Sequence, residues 1–108
     1  LMNDVTYLEA SRKLAERMLK EGGSQEPERI SYAFRLAAAR PPRAQEIRIL
    51  LDSLHRFRDR YNTDSRAALR FLSYGESPRD ESLDPSELAS YTGVASLILN
   101  LDETITKE

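Results

Sequence analysis

The chain has 108 residues, 40% of them hydrophobic and 31% charged, with a formal net charge of −2. That balance describes one globular domain, neither disordered nor membrane-spanning, because no apolar run approaches the ~20 residues that a span requires. There is no cysteine, which excludes disulfides, thiolate metal sites, thiol nucleophiles and covalent haem attachment within these residues.

The first residues, "LMNDVTYLEASRK", lack the basic start and apolar centre of a signal peptide. Helix-forming sequence begins almost at once, as in a piece of a longer chain. A first helix is predicted over about Asp4–Glu21, with Val5, Leu8, Leu14, Ala15, Met18 and Leu19 on one side. Gly22-Gly23 ends it, because glycine takes the left-handed conformation that a helix C-terminus often needs. The second helix, about Pro27–Ala39, places Ile30, Ala33, Phe34 and Ala37 at i, i+3, i+4 and i+7 and stops at Pro41-Pro42.

Pro42 suits the first turn of a third helix, where its missing N–H costs nothing. Ile47, Leu50, Leu51, Leu54, Phe57 and Tyr61 form an unbroken stripe there, closed by Asn62 and Thr63. Ile49 falls off the stripe, so it is either exposed or touches something beyond these residues. A shorter fourth helix over about Asp64–Tyr74 buries Ala68, Phe71 and Leu72, and Gly75 stops it. "GESPRDESL" is a loop, rich in turn formers and charge.

The fifth helix opens with "DPSE": Asp84 as N-cap, Pro85 at the first position and Glu87 reaching back as in a capping box. Two apolar stripes follow, Leu88, Tyr91, Thr92, Ala95, Leu99 and Val94, Leu97, Ile98, Leu101. A helix apolar on two sides is surrounded by others, which makes this one central. Gly93 inside it costs about 1 kcal/mol of helix propensity relative to alanine, and close approach of a neighbour would account for that. The second stripe stays in phase through Ile105, so the helix is expected to reach about that residue, with "NLDE" (Asn100–Glu103) as its polar edge rather than a metal site. The fold class that follows is all-α, an irregular bundle of four to five helices with short loops.

Charge is unevenly laid out. Residues 29–70 carry ten basic and four acidic side chains, and residues 71–108 two and eight. A basic middle can meet an acidic partner such as nucleic acid. Alternatively, helices from the two regions pack together and their rims attract. The basic set is Arg35, Arg40, Arg43, Arg48, Arg56, Arg58, Arg60, Arg66 and Arg70. Asp52 and Asp59 interrupt it, and the helix after "ARPPRAQEI" is mostly core stripe, so a solvated face fits better than a nucleic-acid surface.

Chemistry has little to work with. His55 is the single histidine, at the margin of the third stripe, where it reads as a boundary residue rather than a base or ligand. Asp80, Glu81 and Asp84 could attract a hard cation together, but their loop lacks the alternating oxygens and fixed glycine of a calcium loop. The four glycines make no phosphate loop. No catalytic, cofactor-binding or metal residue is assigned, and no cofactor is expected in these residues.

Three stretches, "LMNDVTYLEASRKLAERML", "RISYAFRLAAARPPRAQEIRILL" and "GESPRDESLDPSELASYTGVASLILNLDETITKE", together resemble one family throughout its length. It is the C-terminal domain of unknown function in large planctomycete proteins that also carry a cytochrome c-like domain. The resemblance rests on Leu1–Val5, Arg40–Pro42 and Asn100–Glu103, in that order. Val5 departs from a common proline, Tyr91 from a frequent tryptophan, and Thr104 from an aromatic.

The resemblance implies a helical C-terminal module of a longer multidomain protein, with haem elsewhere in the parent chain, the other domains of that chain as partners, and export to the periplasm. It lends no catalytic residue. Two functions stay open: a non-catalytic structural or interaction module, and part of an enzyme or redox protein whose active site is completed by other domains.

Overall fold

A computed structural model describes the backbone of residues 4–107 and the side chains of residues 4–101. Five helices follow one another: α1 (Val5–Glu21), α2 (Glu26–Ala38), α3 (Ala44–Thr63), α4 (Ser65–Leu72) and α5 (Pro85–Lys107). The described residues contain no strand, and the fold is the expected all-α bundle.

Three aspartates start three of the helices. Asp4 accepts from the Thr6 N–H (2.8 Å), Asp64 from the Ala67 N–H (3.0 Å) and Asp84 from the Glu87 N–H (3.0 Å), each satisfying a donor that has no partner within its helix. The third helix begins later than expected. Glu46 accepts from the Arg43 N–H at 2.8 Å, which makes Arg43 the N-cap and leaves Pro42 outside. The fourth helix ends at Leu72 rather than Tyr74, because Ser73 turns its N–H (3.2 Å) and its hydroxyl (2.7 Å) onto the Arg70 carbonyl. After α1 it is Gly23, at φ 97°, that takes the left-handed conformation.

The fifth helix is central, as its two stripes imply, and touches each of the other four. Every residue from Leu88 to Ser96 is buried. Small side chains make this possible, and the hydroxyls among them are satisfied within the helix: Ser90 donates to the Ser86 carbonyl (2.7 Å), Thr92 to Leu88 (2.7 Å) and Ser96 to Gly93 (2.6 Å). Around α5 the core takes Ala15 and Met18 from α1, Ile30, Ala33 and Phe34 from α2, Leu50, Leu54 and Tyr61 from α3, and Ala68 and Leu72 from α4. Tyr61 and Phe71 stack with ring centroids 5.7 Å apart.

Two cross-links set directions. The Tyr7 hydroxyl donates to the Ser96 carbonyl, and the Ser86 hydroxyl donates to the Tyr61 carbonyl at 3.2 Å. The start of α1 therefore lies at the C-terminal half of α5, and the end of α3 at the first turn of α5.

Two expected core residues are exposed. Val5 is 49% and Leu101 37% accessible. Both lie past the level where α1 meets Ser96, so fewer helices remain to cover them. The α5 backbone nevertheless continues to Lys107, two residues beyond Ile105. The polar edge reading of "NLDE", and a Glu103–Lys107 pair, fall on side chains outside the described residues.

Gly93 meets α3 as its position implies: a Cβ there would lie 2.7 Å from Phe57 Cδ2. Gly93→Ala recovers about 1 kcal/mol of helix propensity but must displace the ring, and overpacking typically costs about 1–3 kcal/mol. The expected result is a lower urea midpoint, turning neutral or higher when Phe57→Ala is present. Ala39, the C-cap of α2, sits at φ 57° with an exposed side chain. Ala39→Gly removes a left-handed penalty of about 1–2 kcal/mol. It adds about 0.4–1 kcal/mol of unfolded-chain entropy, so a net gain of about 0.5–1 kcal/mol is expected by chemical denaturation.

Candidate functional site

Charged side chains tie the elements together at three junctions. The first closes the α2–α3 corner. Arg40 grips Glu46 with two bonds of 2.9 Å each, and its guanidinium lies 4.8 Å from the Phe34 ring centre. Arg40 and the Arg43 N–H together hold the Glu46 carboxyl down at about 2. The Arg40–Pro42 motif thus works as a corner brace: Arg40 ties the end of α2 to the start of α3 while two prolines keep the connection extended.

The second junction gathers α2, α3 and the start of α5. Arg58 gives Nη1 to Glu26 at 2.6 Å, and Nε and Nη2 to Glu87 at 2.8 and 3.0 Å. These bonds, those to Glu87 first, raise the arginine further above its ordinary value. Both carboxylates sit in first turns, where the helix dipole favours them. Glu87 is therefore turned to Arg58, and the expected capping box is only half made, by Asp84. His55 Nε2 lies 3.0 Å from Glu26 Oε1, and that contact and Arg58 lower the Glu26 pKa. His55 stands exposed at the rim of this junction, a boundary residue bridging to α2.

The third junction holds the segment between α4 and α5 against α1, and it was not anticipated. Arg12 is 1% accessible. It donates to the carbonyls of Ser77 (2.6 Å) and Pro78 (3.3 Å) and to Glu16 (3.1 Å), with Glu9 at 3.8 Å. One signal was present in the sequence: Leu8, Arg12, Ala15 and Leu19 fall at i, i+4, i+7 and i+11, so Arg12 is in phase with the apolar stripe. The acidic loop does not converge on a cation. Asp80 pairs with Lys20 and accepts from Ser82, which depress its pKa, while Asp84 caps α5. Among the described residues no three His, Asp or Glu side chains are placed to hold a metal ion.

The arginines do not act as one set. Arg40 and Arg58 are internal ties, Arg56 donates to the Ser53 hydroxyl (3.2 Å), and Arg60 lies 5.7 Å from the Tyr61 ring centre. Arg35, Arg43, Arg48, Arg66 and Arg70 are exposed. Attraction between the basic middle and the acidic last third is realised at Arg58–Glu87, whereas Asp80 turns to Lys20 of the first third.

Concave surfaces are found on two sides of the bundle. A groove of about 600 Å³ runs between the end of α1 and the outer face of α2, past Glu21, Ser31, Tyr32 and Arg35. There the Tyr32 hydroxyl donates to Glu21, and Arg17 donates to that hydroxyl at 3.0 Å. The hydrogen bond lowers the Glu21 pKa and raises that of Tyr32. A smaller hollow of about 220 Å³ lies between α3 and α5, lined by Glu46, Ile49, Leu50 and Leu101. Ile49 is 55% accessible, which settles its place off the stripe: it is exposed, beside a less exposed Leu101. This apolar hollow is the candidate interface, and the groove is the candidate cleft. No described helix is long and apolar enough to cross a membrane.

A family model described as PSD1, "Protein of unknown function (DUF1553)", matches residues 1–54, half of the chain, and the chain belongs to that family. The match contains Leu1–Val5 and Arg40–Pro42, two of the motifs that carried the resemblance. No curated protein and no solved structure matches the chain.

The corner brace has a pH signature. A carboxylate held below its unfolded value contributes stability that is complete above the unfolded pKa and is lost as pH falls through the folded one. For Glu46 that window runs from about 4.3, the ordinary value, down to about 2. Thermal melts of Glu46→Gln should show lower stability at neutral pH and a shallower loss across that window than the unsubstituted protein.

Proposed function

We propose that this member of the PSD1 family is a non-catalytic helical module that packs against other domains of a larger, exported planctomycete protein. One observation carries the reading: the hollow lined by Ile49, Leu50 and Leu101 brings two exposed large apolar side chains, Ile49 and Leu101, together in one apolar concavity. A neighbouring domain of the same parent chain is the occupant, and covering what remains exposed of these side chains contributes roughly 1 kcal/mol each. Haem, where the parent protein carries it, belongs to a cytochrome c-like domain elsewhere in that chain, and the setting is periplasmic. The exposed arginines form a solvated face, interrupted by Asp52 and Asp59, and no nucleic acid is a partner.

A second reading makes the module part of an enzyme or redox protein completed by other domains. The groove beside α2 favours it, because Tyr32, Glu21 and Arg17 offer a coupled hydroxyl, carboxylate and cation at an open surface.

The two readings separate in the parent protein. Ile49→Asp with Leu101→Asp should raise hydrogen exchange in the first half of α3 and release the module to limited proteolysis, with the thermal stability of the bundle unchanged. Tyr32→Phe should leave both unaltered. Unchanged exchange and proteolysis in the Ile49 and Leu101 variant would defeat the docking reading, and loss of a parent activity in Tyr32→Phe alone would favour the second.

A further inference from the structure

The segment 73–84 between α4 and α5 is attached in an unusual way. Its Tyr74 is 45% accessible and its Pro78 is exposed, and Leu83 is the side chain that packs against the core. The remaining hold comes from charged side chains at i, i+3, i+7 and i+11 on α1. Glu9 accepts from the Ser77 N–H at 2.7 Å and Glu16 from the Asp80 N–H at 2.9 Å. Arg12 donates to the Ser77 and Pro78 carbonyls, and Lys20 pairs with Asp80. α1 thus reads this stretch by its backbone, two N–H groups and two carbonyls, more than by its side chains.

The segment is bounded at both ends. Gly75 stands at φ 95°, where a Cβ would lie 2.6 Å from the Glu9 carboxyl carbon, and Asp84 begins α5. Between them the segment keeps a turn of its own, with Ser82 donating its N–H (2.9 Å) and hydroxyl (2.6 Å) to Asp80 Oδ1. Arg12 lies beneath, buried, with its Nε lacking any hydrogen-bond partner.

We propose that residues 73–84 are a strap that lifts as a unit from α1 while the five helices stay packed, and that Arg12 is its latch. Exposed apolar surface sets the cost of opening a region, and the strap exposes little beyond Leu83. Its polar tethers are replaced by water on lifting, and Arg12, incompletely satisfied when covered, regains hydration for its whole guanidinium. Opening uncovers the strip of Glu9, Arg12, Glu16 and Lys20 on α1.

Native-state hydrogen exchange at increasing urea tests this. The Ser77 and Asp80 amides should exchange through an opening with weak urea dependence, whereas the Tyr91–Ala95 amides follow global unfolding with its full dependence. Gly75→Ala, which disturbs the strap without touching Arg12, should speed Ser77 and Asp80 exchange by about tenfold or more relative to Tyr91. Arg12→Met should do the same, and Lys20→Gln more weakly. Should Arg12→Met fail to fold, the other two variants decide. Strap and α5 amides that share one urea dependence, or that shift by the same factor in Gly75→Ala, would overturn the proposal.

Discussion

Everything in this bundle depends on how closely four helices approach a fifth. The buried run Leu88–Ser96 keeps large side chains to Leu88, Tyr91 and Val94 and fills the rest with alanine, serine, threonine and glycine. At Gly93 the Phe57 ring comes so near that no Cβ fits. Serine and threonine ordinarily weaken a helix interior because they compete for its backbone. Here they turn that habit to use, since a hydroxyl bonded to its own helix presents only a small, satisfied surface to the neighbour.

Burial at the centre leaves the polar work to the ends, and arginine does most of it. Arg40 closes the α2–α3 corner, Arg58 joins the starts of α2 and α5 to α3, and Arg12 holds the α4–α5 segment. Each uses the planar fork to contact two groups at once, which a lysine point charge does not reproduce. A fourth case, Arg29, donates to the Gly23 carbonyl (2.8 Å) and to the Tyr91 hydroxyl (3.3 Å), tying the end of α1 to the buried face of α5. The hydroxyl that Arg29 meets gives a tyrosine at that buried position a partner.

The helices and their inner faces were legible because 3.6-residue periodicity survives in one sequence without comparison. Ile30, Ala33 and Phe34, or Leu50, Leu54 and Tyr61, announce their own side. The central place of α5 followed from its two stripes. What periodicity does not carry is how far each neighbour extends, so Val5 and Leu101 were in phase with the core yet emerge past its edge. Charged partners were harder still. Glu87 had a local use in a capping box and was claimed by Arg58 from another helix, and nothing in the sequence pairs Arg12 with the backbone of residues 77 and 78. The hollow at Ile49 was half visible, as a residue out of phase, while Leu101 across from it was not.

The order of helices along the chain has a consequence for how the molecule comes into being. The helix that every other one needs is the last of the five. Residues 1–54, the part matched by the family model, hold α1, α2 and half of α3; α1 and α3 meet α5 more than any other helix, and α2 divides its contacts among all three. During synthesis the inner faces of these helices emerge before α5 does, and contacts distant in sequence form late. The bundle therefore closes when α5 packs against the helices that precede it. Until α5 arrives, the earlier helices are amphipathic segments that a chaperone, or a neighbouring domain of the same chain, has reason to shield.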